Sequence, residues 1–189
     1  METAMDTSNK KIRLEYGLLT VVLLVLAGMY LFLKWSEKTV VELLLAELMI
    51  LFGFLAAVSD GKSQRIPNKM ILLMLACWMI VVLPQLLMSP EEAYDLVITS
   101  LIGFVAGGGI TMFAYVASRK GLGGGDVKFC AAAGCYTGAV TVLSGILFGS
   151  ILALLVNVVL IIAKKRKKTD RFAFVPYINA GILILLFLT

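Results

Sequence analysis

The sequence predicts an all-α polytopic membrane protein with about seven transmembrane helices. Hydrophobic residues make up 60% of the chain and charged residues only 15%, with a mean hydropathy of +0.97. Soluble domains are far more polar. The apolar residues fall into runs close to the roughly 20 residues that a helix needs to cross about 30 Å of hydrocarbon. A chain of 189 residues then has no room for a second, soluble domain, so its chemistry must lie in or beside the bilayer.

Six apolar runs predict the spans, and one of them is too long for a single helix. The runs are Tyr16–Leu33, Val40–Val58, Met70–Met88, Leu96–Ala117, Val127–Ala163 and Phe172–Thr189. A helix over the fifth run would be about 55 Å long at 1.5 Å per residue. Between Tyr136 and Ile146 the run carries a cluster of Gly, Ser and Thr residues, which favours a break. We therefore expect two spans there, which raises the count to seven.

The first run predicts an anchor helix. It could serve as a signal peptide, but the residues that follow, LFLKWSEK, contain no small-residue cleavage pattern. We therefore divide the chain into residues 1–39, a cytoplasmic N-terminus with an anchor helix, and residues 40–189, a six-helix membrane domain. The acidic turn SPEEAYD (residues 89–95) has the residue order of a helix start, with Ser89 as the N-cap and Pro90 in the first turn.

The basic residues predict the orientation of the chain in the membrane. With seven spans, all 17 Lys and Arg residues except Lys34 and Lys38 fall on one side, which the positive-inside rule assigns to the cytoplasm. An unbroken fifth span would put the basic cluster KKRKK (residues 164–168) on the opposite side. We expect a cytoplasmic N-terminus in an inner, cytoplasmic membrane. This distribution accounts for the net charge of +5, and no basic face with interleaved aromatic residues indicates a nucleic-acid partner.

The cysteines indicate neither a disulfide framework nor a metal site. Cys77, Cys130 and Cys135 are odd in number, lie in apolar runs and form no CxxC motif, and the chain has no histidine. We interpret them as small buried apolar residues. The sequence therefore predicts no metal and no cofactor.

Two aspartates lie at the cytoplasmic ends of predicted spans. Asp60 ends the second span, in AAVSDGKSQRIPNKM, and Asp126 begins the fifth, in GLGGGDVKF. Two carboxylates that approach each other across a cavity suit hydrolysis by an aspartic dyad, in which the pair shares one proton. Gly123, Gly124 and Gly125 would let a substrate backbone lie close to Asp126 and let that side chain move towards Asp60, because glycine has no Cβ.

The residues alone leave other interpretations open. Asp126 can be a helix cap after a glycine turn, and Asp60 can be a solvated residue in a polar loop. A different class of function is a small ion- or proton-coupled membrane carrier in which Asp60 and Asp126 are ion ligands. Such carriers often contain inverted repeats, and we find none in this sequence.

Three segments resemble those of a known family. GGGDVK (residues 123–128) resembles the GxGDxK signature of the type IV prepilin peptidases, which are GxGD-type membrane aspartic proteases. SDGKSQRIPN (residues 59–68) resembles their first-aspartate segment, and RFAFVPYINAG (residues 171–181) resembles a third, weaker one. The resemblance implies that Asp60 and Asp126 are the catalytic pair. It also implies a substrate of the prepilin class (a type IV pilin, tight-adherence pilin or preflagellin), cleaved at the cytoplasmic face between its basic leader and its hydrophobic helix.

The departures from the family pattern limit the expected activity to peptide-bond cleavage, without methylation of the product. Larger family members carry a cytoplasmic insert with paired CxxC motifs and also methylate the product, whereas this chain resembles the short, peptidase-only form. Presenilin-like proteases share GxGD, but Ser59 stands where they have tyrosine, and no PAL motif is present. Lys128 would attract the ionised dyad or a carboxylate of the substrate, or it would extend to lipid phosphate, as lysines at span ends do. The sequence predicts no particular oligomeric state.

Overall fold

The computed structural model of the protein describes residues 2–118, 122–164 and 172–188, with side chains from Gly17 onward. These residues form six helices: α1 (Glu2–Lys34), α2 (Val40–Ser63), α3 (Asn68–Met88), α4 (Pro90–Ala117), α5 (Gly124–Ile162) and α6 (Val175–Leu188). No strand occurs within the described ranges. The all-α polytopic class is therefore confirmed. Five helices, α1 to α5, are long and apolar enough to cross a membrane, and α6 has 14 residues, so the count of seven spans is not confirmed.

The break in the long fifth run lies where the sequence predicts it. Gly138 has φ 73° and ψ 174°, in the middle of α5, and these angles are not helical. A positive φ is a conformation that residues other than glycine rarely adopt, so a glycine suits this position. The predicted interval between Tyr136 and Ile146 contains it.

At Gly138 the helix α5 also folds back on itself. A Cβ built on Gly107 of α4 would meet the carbonyl oxygen of Cys130 and lie 3.1 Å from Cγ2 of Val142. In a straight helix, residues 130 and 142 would be about 18 Å apart. Both lie beside one residue of α4, so the two halves of α5 turn sharply at Gly138 and pack against the same helix.

Small residues bring the helix backbones close together. A Cβ on Gly103 of α4 would overlap the carbonyl of Gly134 in α5. The second half of α5 approaches α6 in the same way, since a Cβ on Gly149 would lie 2.6 Å from Cα of Ile178. Close approach of this kind is what stabilises helix pairs in lipid, where hydrophobic association contributes little. The GxxxG spacings in this chain therefore serve packing.

The core of the bundle lies between α2, α5 and α6. Met49, Ile50, Phe129, Ile178 and Ile182 are all fully buried there. In contrast, α1 is mostly exposed along its apolar segment and meets the bundle near its end, where the ring of Tyr30 packs edge-on against Phe187 with centroids 5.5 Å apart. No observation tests the division of the chain between residues 39 and 40, which stays a prediction.

One helix end beside the site differs from the sequence prediction. Helix α2 continues to Ser63, five residues past the end of the apolar run at Val58 and three past Asp60. The hydroxyl of Ser63 donates to the carbonyl of Ser59 one turn earlier (2.8 Å), and Gln64 then ends the helix in the left-handed conformation. Helix α4 begins at Pro90 as predicted, with Ser89 as the N-cap residue, but the Ser89 side chain makes no capping hydrogen bond.

Most of the basic residues on which the orientation depends lie outside the described side chains. They are Lys10, Lys11, Arg13, Arg119, Lys120, Lys165, Arg166, Lys167, Lys168 and Arg171. The cytoplasmic location of the N-terminus and the location in an inner membrane therefore stay predictions.

Candidate active site

Asp60 lies in the last turn of α2 and its side chain reaches another helix. The residue is only 4% exposed. Its Oδ2 accepts a hydrogen bond of 3.0 Å from the backbone N–H of Val175, the first residue of α6. The interpretation of Asp60 as a solvated residue in a polar loop is therefore wrong. Its partner is 115 positions along the chain, so this is a tertiary contact.

Asp126 is the third residue of α5 and caps that helix. Its Oδ2 accepts a hydrogen bond of 3.1 Å from the backbone N–H of Gly123, and the side chain is 8% exposed. A carboxylate at this position binds a free N–H of the first turn and lies at the positive end of the helix dipole. A Cβ on Gly123 would lie 3.2 Å from the same oxygen, which is tighter than most such contacts. The capping interpretation thus holds, and it does not exclude a second role.

The two aspartates lie together at one end of the bundle. Their carboxylates are near enough for their charges to interact. Gly125, next to Asp126, packs against the segment that follows Asp60, since a Cβ on Gly125 would lie 3.2 Å from Cβ of Ile66. Because a larger side chain would have to displace Ile66, glycine at this position allows the two segments to touch.

Lys128 makes a second link between the same two segments. Its Nζ donates a hydrogen bond of 2.9 Å to Oδ1 of Asn68, the first residue of α3. Both side chains are exposed. Neither expected role of Lys128, a partner of the dyad or an anchor in lipid phosphate, involves this contact, which the sequence reasoning missed. The residues IPN (66–68), at the start of α3, were the sequence feature that could have indicated this contact.

Serine hydroxyls fix the turn between Asp60 and Asn68. The hydroxyl of Ser59 donates to the carbonyl oxygen of Arg65 at 3.0 Å, and the hydroxyl of Ser63, whose shorter contact is with the carbonyl of Ser59, lies 3.2 Å from the same oxygen. Gln64 has φ 52° and ψ 33°. The Ser59 hydroxyl satisfies a carbonyl that would otherwise have no helical partner after the end of α2. Ser59 therefore stabilises this turn. Its position where presenilin-like proteases have tyrosine did not indicate this role.

The third segment of the resemblance meets the other two at Asp60. Val175, whose backbone N–H donates to the Asp60 carboxylate, is fully buried. One turn further along α6, the side chain of Asn179 lies against Gly53 of α2, where a Cβ would overlap the Asn179 amide. The Oδ1 of Asn179 is buried and has no hydrogen-bond partner. These contacts hold α6 close to α2 beneath the carboxylates.

The described residues contain no group of three or more acidic, cysteine or histidine side chains that could hold a metal ion. Cys77, Cys130 and Cys135 are all free thiols. The hydrogen-bond donors to the two carboxylates in the described part of the chain are the backbone N–H groups of Val175 and Gly123. Such an arrangement can bind water or a peptide group by hydrogen bonds and can exchange protons with it.

Comparison with known proteins finds one family. The sequence model of the type IV leader peptidase family matches residues 47–158, a stretch that covers more than half of the chain and contains both Asp60 and Asp126. Searches of curated proteins and of solved structures find no match.

Proposed function

Because the chain belongs to the type IV leader peptidase family, we propose that it is a membrane aspartic endopeptidase with Asp60 and Asp126 as its catalytic dyad. The observation that carries the proposal is that two buried carboxylates, one from α2 and one from α5, lie at the same end of the bundle, on segments that touch where Gly125 packs against Ile66. Capping alone requires Asp126 but gives no reason for a second buried carboxylate beside it.

In the proposed reaction, the two carboxylates share one proton. The ionised carboxylate accepts a proton from a water molecule, which attacks the carbonyl carbon of the scissile peptide bond. The protonated carboxylate donates a hydrogen bond to the carbonyl oxygen and stabilises the charge that develops there. Like charges at short range cannot both be ionised at low cost, so a shared proton is the expected state of the pair.

The proposed substrates are prepilin-like proteins, with a basic leader and a hydrophobic N-terminal helix. A substrate helix embedded in the bilayer would lie beside α2 and α5 and present the end of its leader to the carboxylates. Both aspartates lie at the helix ends that the positive-inside rule assigns to the cytoplasm. We therefore propose cleavage at the cytoplasmic face of an inner membrane.

Substrate entry requires the site to open, because Asp60 and Asp126 are only 4% and 8% exposed. Gly123, Gly124 and Gly125 precede or begin α5 and offer the backbone freedom for this change. A peptide backbone could then lie directly against them, as we expect for an active-site loop that binds substrate.

The proposed role of Lys128 is to position this loop. Its hydrogen bond to Asn68 links the start of α5 to the start of α3. This contact would keep Asp126 near Asp60 without any direct contact between the ammonium group and either carboxylate.

The test is cleavage of a prepilin-like protein from the same organism after co-reconstitution into liposomes. Wild-type protein should release the leader, and Asp60→Asn and Asp126→Asn should each abolish turnover while keeping size and hydrogen-bonding capacity. Asp95→Asn, at an exposed carboxylate in α4, is the matched control and should cleave like wild type. If both site variants still cleave, the carboxylates are caps or ion ligands, and the proposal is wrong.

A further inference from the structure

The two carboxylates of the site have unequal hydrogen-bonding environments. Asp60 accepts a hydrogen bond from a backbone N–H of a distant element, that of Val175 at the start of α6. Asp126 accepts one, from Gly123 at the start of its own helix. Backbone N–H groups can only donate, and they favour the ionised form of a carboxylate that accepts from them.

The two backbone donors, Val175 and Gly123, also differ in their exposure to solvent. Val175 is fully buried, whereas Gly123 is exposed. Water therefore competes for the Gly123 amide and hardly for the Val175 amide, and a hydrogen bond in a dry environment is electrostatically stronger. The free N–H groups at the start of α6 also carry the positive end of its dipole, directed at Asp60. The dipole of α5 favours charge on Asp126 in the same way, but through the exposed donor.

We propose that Asp60 is the ionised member of the dyad and activates water, that Asp126 is the protonated member, and that the backbone N–H of Val175 is the positioning group that selects this order. The inference rests on the proposed function and assigns roles within that site. Pro176 has no N–H, and the donor at the start of α6 that reaches Asp60 is that of Val175. In this assignment the start of α6 determines which aspartate is ionised but takes no part in bond cleavage itself.

Other ionisable groups near the end of α2 come from each helix packed there. They are Lys62 on α2 itself, Arg65 in the turn after it, Lys69 on α3, Asp126, Lys128 and Cys130 on α5, and Tyr177 on α6. The ammonium group of Lys128 is bound to Asn68. All of these groups are the same in the variants described next, so a difference between those variants reports on the deleted N–H.

The test removes each N–H by a proline substitution. Val175→Pro deletes the donor to Asp60 at the first residue of α6, where proline is well tolerated. Val175→Ala keeps the N–H and is its control. Gly123→Pro deletes the donor to Asp126, and the φ of Gly123, −77°, is compatible with proline. Gly123→Ala keeps that N–H. The measurement is kcat/KM for cleavage as a function of pH in liposomes.

Loss of a donor makes ionisation of its acceptor harder, so the corresponding limb of the pH profile moves to higher pH. The acidic limb reports the base and the alkaline limb reports the acid. We expect Val175→Pro to move the acidic limb upward by about one pH unit, the scale of a hydrogen bond to a charged group, and Gly123→Pro to move the alkaline limb. Val175→Ala should leave both limbs in place, and the shift for Gly123→Pro is measured relative to Gly123→Ala, which adds a Cβ beside Asp126 but keeps the N–H.

Two results would overturn the assignment. If Val175→Pro moves the alkaline limb and Gly123→Pro the acidic one, the roles are reversed. If Val175→Pro lowers activity equally at every pH, the N–H has only a structural role. Should that variant fail to fold in detergent, Gly123→Pro still decides, because the proposal requires its alkaline limb to move. Cleavage that survives Asp60→Asn and Asp126→Asn would instead contradict the proposed function itself.

Discussion

The two ends of the bundle both carry acidic residues, and they use them differently. At the end with Asp60 and Asp126, the carboxylates are buried, and Asp60 is hydrogen-bonded to a helix from a distant part of the chain. At the opposite end, Glu42, Glu92 and Asp95 line a cavity of about 390 Å³ between α2, α3 and α4, and all three are exposed.

The hydrogen bonds at the two ends show the same contrast. Glu42 accepts from the backbone N–H of Thr39 at 2.9 Å, and the Thr39 hydroxyl accepts from the Glu42 N–H at 3.3 Å, so the pair forms a capping box for the start of α2. That contact is local and needs no other helix. Acidic residues at a helix end therefore do not by themselves indicate a functional site. In this fold, burial and a hydrogen bond to a distant segment distinguish Asp60 from them.

Of the two glycines that begin α5, Gly125 should be the more sensitive to substitution. Gly125→Ala forces its Cβ against Ile66, whereas Gly124→Ala meets nothing within 4 Å. Because Ile66 follows Asp60 in the chain, its displacement should misplace the two carboxylates, and small misplacements are costly in catalysis. We expect Gly125→Ala to lower kcat/KM for leader cleavage about tenfold or more, and Gly124→Ala to lower it less. Equal activity of the two variants would contradict the importance of this contact.

A smaller effect should follow loss of the link between Lys128 and Asn68. Both side chains are exposed, and exposed polar pairs contribute up to about 1 kcal/mol. Lys128→Met should therefore lower kcat/KM about three- to fivefold. Asn68→Ala should have the same effect, and the double variant should be no worse than either single one. Additive losses would show that Lys128 acts elsewhere, for example on lipid or substrate.

The smallest effect on cleavage should come from the opposite end of the bundle. Glu42→Ala removes the acceptor of the capping box and should lower the free energy of unfolding by about 0.5–1 kcal/mol, as the loss of capping interactions does. Leader cleavage at saturating substrate should stay at the wild-type rate. Thermal unfolding in detergent and the cleavage assay measure the two quantities separately. A clear loss of cleavage would mean that the ends are coupled.

Several features of the fold could be predicted from local sequence. The excess length of the fifth apolar run and its small residues located the break that lies at Gly138. Hydropathy predicted the membrane class, and span counting placed Asp60 and Asp126 at one end. The alternative interpretation of Asp60 as part of a polar loop is wrong, because α2 continues through SDGKS, where Ser63 donates back to Ser59 within the helix.

The contacts that build the site could not be predicted, because they join residues far apart in the sequence. Nothing near Asp60 indicates that its donor is Val175, since a backbone N–H is common to every residue type except proline. The packing of Gly125 on Ile66 likewise depends on how α5 approaches the loop after α2. The sequence motifs indicated which segments build the site, but only the folded structure shows which atoms of those segments are in contact.

The most direct test of the account is a double-mutant cycle on the two aspartates. Single-turnover cleavage of a prepilin-like substrate in liposomes would be compared for wild type, Asp60→Asn, Asp126→Asn and the double variant. Groups that act as one catalytic unit give strongly non-additive losses. The account predicts that each single variant loses nearly all activity and that the double variant is no slower than the worse of the two. Losses that multiply, or a single variant that keeps substantial turnover, would contradict the dyad.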